Sequence, residues 1–409
     1  MKLVKWSGVF LLMLVLFLFM TGKTFACTEI YLSSEGASSG ISARNFDFMD
    51  GRGFIKYSPA GVQNSSQLAN DKNEVLTWKS KYASLSFNSF FDQIGAEKGS
   101  TFIVAGIDGI NTEGLKVGTY FSDAAAFSAV KNAKVLDVGM VMQYLLDNFQ
   151  SVDEVSADLT SGKYNVISLP TQELEIKPHF FLHDAQGKSA IIEFLNGKVK
   201  VVKNPDIPVL TNSSYAESRE QLKLYQGFGG EKPIPGGKES QERFVRAAYY
   251  WKQLPKVDSA VEGIRDGFSL MQLPAVSPGF SEGQTQWTII TDIKAKKIYF
   301  RTFNNPDVAF IDLDKIAKAA KTSSDIDLLR TDLGGDISKM FSVSEEFCPE
   351  SVPAAPDYAD KKNWAELPPS GNEKTVDVFF VHPTKYFFPN TWNESIEFGR
   401  QNAKVTGSM

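Results

Sequence analysis

The order in which the hydrophobic period changes along the chain is the feature that most restricts its fold. Alternating segments at 27–32 (C-T-E-I-Y-L) and 41–48 read as an antiparallel hairpin, joined through the turn-forming residues 33–36. The apolar run at 101–107 (TFIVAGI) and the segment at 115–121 follow as strands, separated by the turn Asn111-Thr112-Glu113-Gly114. Helical spacing then takes over at 137–149 (DVGMVMQYLLDNF) and at 152–159. An antiparallel meander is predicted over 180–183, 189–194 and 198–202, with turns at 184–187 and Asn196-Gly197. A further helix is predicted over 241–254 with Ser240 as its cap, and a late hairpin over 287–292 and 297–303. Strands, two helices, strands, one helix, strands: that order predicts a layered α+β fold and argues against a doubly wound parallel sheet.

Ahead of this pattern, Lys2 and Lys5 precede an apolar run from 9 to 20, and the segment closes on Thr24-Phe25-Ala26. A basic start, a short apolar stretch and a small residue before the cut form a secretory leader. The run is shorter than the ~20 apolar residues a stable membrane span wants. The predicted cut leaves Cys27 first, in the periplasm or outside the cell. A lipidated N-terminal cysteine is less well served, because Thr24 stands where lipoprotein processing favours an aliphatic residue.

Composition removes several classes of function. The net charge of −5 becomes −8 once the three leader lysines are gone, which argues against nucleic-acid binding. Two cysteines are too few for a disulfide scaffold or a Cys-rich zinc module, and three histidines leave little room for a His-based metal site. His179 and His183 are four apart, but the sequence around them reads as strand, so both are expected to be structural. Gly36-Ala37-Ser38-Ser39-Gly40 matches the G-x-S-x-G of a serine hydrolase elbow. It joins two strands, however, and is read as a turn.

Cys27 is the sharpest chemical candidate. As a first residue it carries both a nucleophile and a base, since an α-amino group titrates near ~7.7–8.0 and its neutral form accepts a thiol proton. A cation such as Arg44 favours the thiolate, and Asp47 is placed to hold the amine. The alternatives at this stage are a lipidated cysteine and a disulfide to Cys348.

C-T-E-I at 27–30 followed by R-N-F-D at 44–47 resembles the choloylglycine hydrolase family. These are penicillin V acylases and conjugated bile acid hydrolases, which cleave linear amides with an N-terminal nucleophile. The resemblance continues through G-I-N-T-E-G-L at 109–115, Q-Y-L-L-D-N at 143–148, V-L-T-N-S at 209–213 and E-R-F-V-R-A at 242–247. It closes with W-T-I-I-T-D at 287–292 and I-Y-F-R-T-F at 298–303. It implies a four-layer αββα sandwich and no cofactor. Carried over position by position, it implies that Cys27 attacks the amide carbonyl with Arg44 beside the thiol and Asp47 on the amine. Asn212 would hold the oxyanion and the amine, and Arg243 would stabilise the charged constellation. The family's second oxyanion donor falls by count on Phe121, which has no side-chain donor, so the candidates are Tyr120 one place earlier or a backbone N–H.

The resulting organisation is a leader over 1–26, an amidase domain over 27–330, a Pro-rich linker over 331–375 and a segment over 376–409. That last segment, opening on VDVFFV, resembles the first strand of an α/β-hydrolase-like domain. The partner expected is a small-molecule amide, with no nucleic acid and no stable membrane span; a homo-oligomer is compatible with the sequence. A secreted or lipid-anchored binding protein that keeps the fold without turnover is the alternative.

Overall fold

The computed structural model describes residues 26–341, except 34–39, 68–73, 93–101, 123, 128–132, 171–174, 256 and 280–282. The leader, most of the G-x-S-x-G turn, Cys348, the Pro-rich stretch and the strand expected at 376–381 lie outside these residues.

Two sheets face each other across one core. The first has seven strands in the order Val209–Leu210 (β10), Ala26–Leu32 (β1), Ile41–Phe48 (β2), Gln284–Asp292 (β11), Lys297–Thr302 (β12), Ala309–Asp312 (β13) and Gly335–Asp336 (β15). All its pairs are antiparallel except the last. The second has eight antiparallel strands. Their order is Lys198–Lys203 (β9), Ser189–Leu195 (β8), Pro178–His183 (β7), Lys116–Phe121 (β6), Phe102–Asn111 (β5), Ser84–Asp92 (β4), Gly53–Ser58 (β3) and Ser324–Asp327 (β14). Strand alternation sends apolar side chains from both sheets into the space between them. There Phe87 meets Phe300 edge-on at 5.2 Å and Phe48 meets Phe91 at 5.3 Å. Cross-strand neighbours Phe46 and Trp287 stack at 4.4 Å.

Helices close the outer faces. Val138–Asn148 (α1) and Val152–Thr160 (α2) pack on the eight-stranded sheet, while Ser240–Gln253 (α4) and Ala260–Met271 (α5) pack on the seven-stranded one. The order helix, sheet, sheet, helix is the four-layer αββα sandwich. Tyr215–Leu222 (α3) and Leu313–Ala319 (α6) lie at connections. Among the described residues, no helix is long and apolar enough to cross a membrane.

Three local results differ from the sequence reading. Glu239 caps α4 through a capping box with Glu242, and Ser240 is already inside the helix with its hydroxyl turned elsewhere. The fold also runs past residue 330, because Leu333, Ile337 and Phe341 are buried in the same core. Finally, α5 has no counterpart among the predicted helices, since its two glycines interrupt the helical pattern. Their purpose is close approach. A Cβ on Gly263 would sit 2.7 Å from Ile41 Cγ1, and one on Gly267 would meet Ile290 and Ala43 at 3.1–3.3 Å.

That contact fixes the sign of a substitution. Gly267→Leu adds about 1 kcal/mol of helix propensity but forces a bulky side chain into the packed seam, at a cost of about 1–3 kcal/mol. Urea unfolding should show a net loss of stability, and an unchanged or higher midpoint would contradict the close-packed seam.

Candidate active site

Strand geometry explains how the predicted residues meet. In the hairpin, Cys27 is opposite Phe46 and Glu29 is opposite Arg44. Arg44 and Asp47 are three apart on β2, so they point to opposite faces of the sheet. Arg44 projects into the space between the sheets, and Asp47 projects toward the helices. Cys27 therefore has one charged group on each side. Its thiol lies 3.7 Å from Arg44 Nη2, and its backbone nitrogen donates to Asn212 Oδ1 at 2.8 Å.

Asn212 follows β10, the edge partner of β1, and its side chain is used at both ends. Oδ1 accepts from the Cys27 nitrogen and from Arg243 Nη2 at 2.7 Å, and Nδ2 donates to the Phe121 carbonyl at 3.0 Å. The hydroxyl of Ser240, freed from capping, accepts the backbone N–H of Asn212 at 3.0 Å and of Ser213 at 2.7 Å. Arg243 reaches in from α4. Its Nη1 donates to the Cys27 carbonyl at 2.7 Å and to Thr28 Oγ1 at 2.6 Å, and it lies 4.0 Å from Asp47 Oδ2. Five of the six predicted residues thus share one constellation.

Two β-bulges shape it, one in each sheet. On β11, Thr285 faces Asp47 and Trp287 faces Phe46, leaving Gln286 as the extra residue. This turns the Thr285 hydroxyl onto Asp47 Oδ1 at 2.5 Å. On β5, Gly106 and Asp108 face adjacent residues of β4, so Ile107 is the extra one. Its carbonyl, left out of the ladder, accepts from Arg44 Nη1. Arg44 Nη2 also donates to the Thr119 carbonyl at 2.5 Å, so both guanidinium nitrogens are tied to the opposite sheet.

Tyr120 differs from the sequence expectation. Its hydroxyl donates to Glu29 Oε2, and its ring lies under the Arg44 guanidinium at 4.3 Å. The oxyanion role inferred for it is not available in this arrangement, because the hydroxyl is committed to a buried carboxylate. Phe121 contributes through its main chain, while its ring packs edge-on to Phe91.

The sequence reading missed three charged residues behind Arg44, one of which, Glu29, meets His183, a residue it expected to be structural. Lys116 Nζ lies 2.5 Å from Glu29 Oε2 and 2.9 Å from Asp108 Oδ2, and Asp108 is 3.4 Å from Arg44. His183 Nε2 is 2.6 Å from Glu29 Oε1. All are buried. Their one signal is their position on strands whose neighbours are apolar on both faces. His179 Nε2 bonds the Thr211 carbonyl at 2.8 Å, next to Asn212.

The electrostatics follow from burial. Desolvation pushes the Cys27 thiol up from its ordinary value, with Arg44 opposing and Asp47 adding to the rise. Desolvation also pushes the Asp47 carboxyl up to about 7, against Arg243, the Thr285 hydrogen bond and Arg44. Asp47 Oδ2 is buried and has no hydrogen-bond partner among the described residues. Desolvation raises the Glu29 carboxyl, but Lys116 and His183 outweigh it and hold the group below the usual carboxylate range. Burial lowers the His183 imidazole against the pull of Glu29. An ionised Glu29 only accepts, which places the ring proton on Nε2.

Comparison with known proteins places this geometry in a family. Residues 27–321 match the model of the linear amide C–N hydrolases, choloylglycine hydrolase family. The chain is similar to the penicillin V acylase of Pectobacterium atrosepticum, 27% identical over 78% of this chain and 88% of the relative. It is also similar to the bile salt hydrolase/transferase of Clostridium perfringens, 25% identical over 60% of this chain and 80% of the relative. Among solved structures, the penicillin V acylase from Agrobacterium tumefaciens superposes with a TM-score of 0.64 at 24% identity, covering 76% of this chain and 96% of the other. A mutant form of the conjugated bile acid hydrolase from Clostridium perfringens gives 0.56 at 21% identity, covering 71% and 93%. The chain belongs to the choloylglycine hydrolase family and is a hydrolase of carbon–nitrogen bonds in linear amides.

A pH test follows from Asp47. Its folded value of about 7 lies above the ~3.9 of an unfolded aspartate. Between those values the folded chain holds a proton that the unfolded chain has lost, so stability falls as pH rises through that window. With the Ala26–Cys27 bond intact, Asp47→Asn should remove this slope, gaining on the order of a few kcal/mol over the parent between pH 4 and 8. Denaturant midpoints at both ends check it; parallel pH profiles for parent and variant would refute it.

Proposed function

We propose that this family member is an exported amidase that works through a thioester on Cys27, once removal of residues 1–26 has made that residue N-terminal. The observation that carries the reading is the setting of one atom. The Cys27 nitrogen is bonded to Asn212 Oδ1, and Asp47 Oδ2 is buried on the helix side of the hairpin with an unused acceptor. As an amide, that nitrogen has one hydrogen to give. As an α-amine it gains hydrogens for Asp47 and, when neutral, a lone pair for the thiol proton.

The chemistry then runs without a cofactor. The neutral amine takes the proton from Sγ, and the thiolate is held beside Arg44. Thiolate attack on the substrate carbonyl forms a C–S bond and places negative charge on the carbonyl oxygen. The second Nδ2 hydrogen of Asn212 and a main-chain N–H are the donors for that charge. Collapse breaks the C–N bond, and the α-ammonium returns its proton to the leaving amine. Water then attacks the thioester with the amine again as base, releasing the acid and restoring the thiol. Arg243, bonded to Asn212 Oδ1 and the Cys27 carbonyl, keeps the two halves of the site in register.

The leader and its small residue before Cys27 support export, and the family match beginning at Cys27 supports a processed N-terminus. For substrate, the relatives point to the acyl side chain of a penicillin V-like molecule or to a conjugated bile acid. An N-acyl homoserine lactone presents the same linear amide. An exported enzyme meets penicillins and lactones more readily than a bile salt processed in the cytoplasm.

The test is a hydrolysis panel of those three substrates on the mature chain. Cys27→Ala should lose activity by about 10⁴-fold or more, and Asn212→Ala by about 10²–10³ or more, since one oxyanion donor goes. Intact mass should show an acyl adduct on Cys27 with a slow substrate. An active Cys27→Ala enzyme or a lipidated mature N-terminus would sink the reading. No turnover on any of the three would favour the non-catalytic binding protein.

A further inference from the structure

The buried cluster behind Arg44 has no part in the reaction as written above, yet it touches the group that faces the thiol. Its contacts form a chain of alternating sign running away from Cys27. Arg44 lies 3.7 Å from the thiol, and Asp108 lies 3.4 Å from Arg44. Lys116 follows at 2.9 Å from Asp108, and Glu29 at 2.5 Å from Lys116. Glu29 also receives the Tyr120 hydroxyl, the Ser42 hydroxyl at 2.8 Å and His183 Nε2 at 2.6 Å. Beyond Arg44, the donors Lys116, Tyr120, Ser42 and His183 are directed at carboxylates, and space for the cluster is reserved in the backbone. A Cβ on Gly118 would fall 2.5 Å from the Tyr120 hydroxyl, 2.7 Å from Glu29 Oε2 and 3.0 Å from Lys116 Nζ.

A buried lysine and two buried carboxylates are a costly way to fill a core. Desolvation of such ions is strongly unfavourable, and an apolar core of the same volume is often as stable. The arrangement makes sense if the charges act on Arg44. Asp108 and the Cys27 sulfur draw on the same guanidinium. Asp108 sits closer to Lys116 than to Arg44, so Lys116 takes up its charge and leaves the guanidinium for the thiolate. Glu29 draws Lys116 the other way and limits how completely it neutralises Asp108.

We propose that Lys116 and Glu29 are positioning residues for the hydrolase reaction, a pair that sets how much of the Arg44 charge is available to the Cys27 thiolate by competing for Asp108. This rests on Cys27 as the nucleophile. The groups that bear on the Arg44 charge are Cys27 and Glu29 from β1, Asp108 from β5 and Tyr120 from β6; Lys116 from β6 and His183 from β7 reach it through Asp108 and Glu29, and Asp47 lies on the opposite face of β2.

The competition gives opposite signs for two substitutions. Glu29→Gln leaves Lys116 wholly to Asp108, releasing Arg44 toward the thiol. Lys116→Met leaves Asp108 to Arg44 alone and pulls the guanidinium off the thiol. The readout is the pH midpoint for alkylation of the Cys27 peptide by iodoacetamide in the mature chain, followed by mass spectrometry, alongside the pH profile of kcat/KM. Glu29→Gln is expected to lower the midpoint by about half to one pH unit and Lys116→Met to raise it by a similar amount. The double variant should return it to the parent value. Glu29→Gln keeps Lys116 paired to Asp108, so it tests the proposal even if Lys116→Met does not fold. An unmoved midpoint in Glu29→Gln, or shifts of the same sign in both, overturns it. Alkylation needs no substrate, so a mature parent that alkylates normally but hydrolyses nothing counts against the amidase reading and leaves this result standing by itself.

Discussion

Everything at the site depends on how one guanidinium is buried. Arg44 lies in the core between two sheets, a place where an unpaired cation is unaffordable. It is tolerated because the opposite sheet offers the Ile107 and Thr119 carbonyls, because Tyr120 lies beneath it, and because Asp108 is close. Those contacts fix the distance between the sheets at the mouth of the hairpin. They also leave the outer edge of the guanidinium facing Cys27. The cation that bridges the two layers is therefore the same group that stands beside the proposed nucleophile, so packing and chemistry are joined in one side chain.

The constellation divides by strand face. On the inner side, the thiol meets Arg44 in a water-poor space between sheets. At the sheet edge beside β10, the nitrogen meets Asn212, which Arg243 and Ser240 hold from the helix layer. A first residue of a strand suits this division, since its backbone nitrogen and its side chain can be addressed independently. The proposed amide chemistry needs both functions on one residue, and here each meets its own set of partners.

What could be read in the sequence was whatever depended on local pattern. The hairpin 27–48, the helices near 137–159 and Cys27 with Arg44 and Asp47 follow from alternation and local chemistry, while Asn212 and Arg243 follow only from the family resemblance that the ordered short motifs carry. What could not be read depended on the second sheet. Glu29 and Lys116 occupy alternate strand positions that look solvated in one dimension, and only the meeting of β1 with β6 buries them against each other. Counting along one strand points to Tyr120, whereas its hydroxyl is directed by Glu29 on another. The glycines of α5 weaken its helical signal because they serve a contact with Ile41, Ala43 and Ile290, far away in the chain. Ser240 matched a capping pattern, and Glu239 took the role because the hydroxyl was needed at Asn212.

The two bulges make the site sensitive to counting and not only to chemistry. Side chains alternate every residue along a strand, so adding or removing one residue inverts the facing of all that follows until the ladder re-registers. Gln286 and Ile107 are each the odd residue that sets this parity next to the site. Their side chains are of secondary importance, and a change of identity at either leaves the parity intact. Loss of either residue does not. It would carry Thr285 away from Asp47 in one sheet, or exchange Asp108 with an apolar neighbour in the other. Sequence length in β5 and β11 is thus held more tightly than sequence identity, the reverse of what holds on the connecting loops.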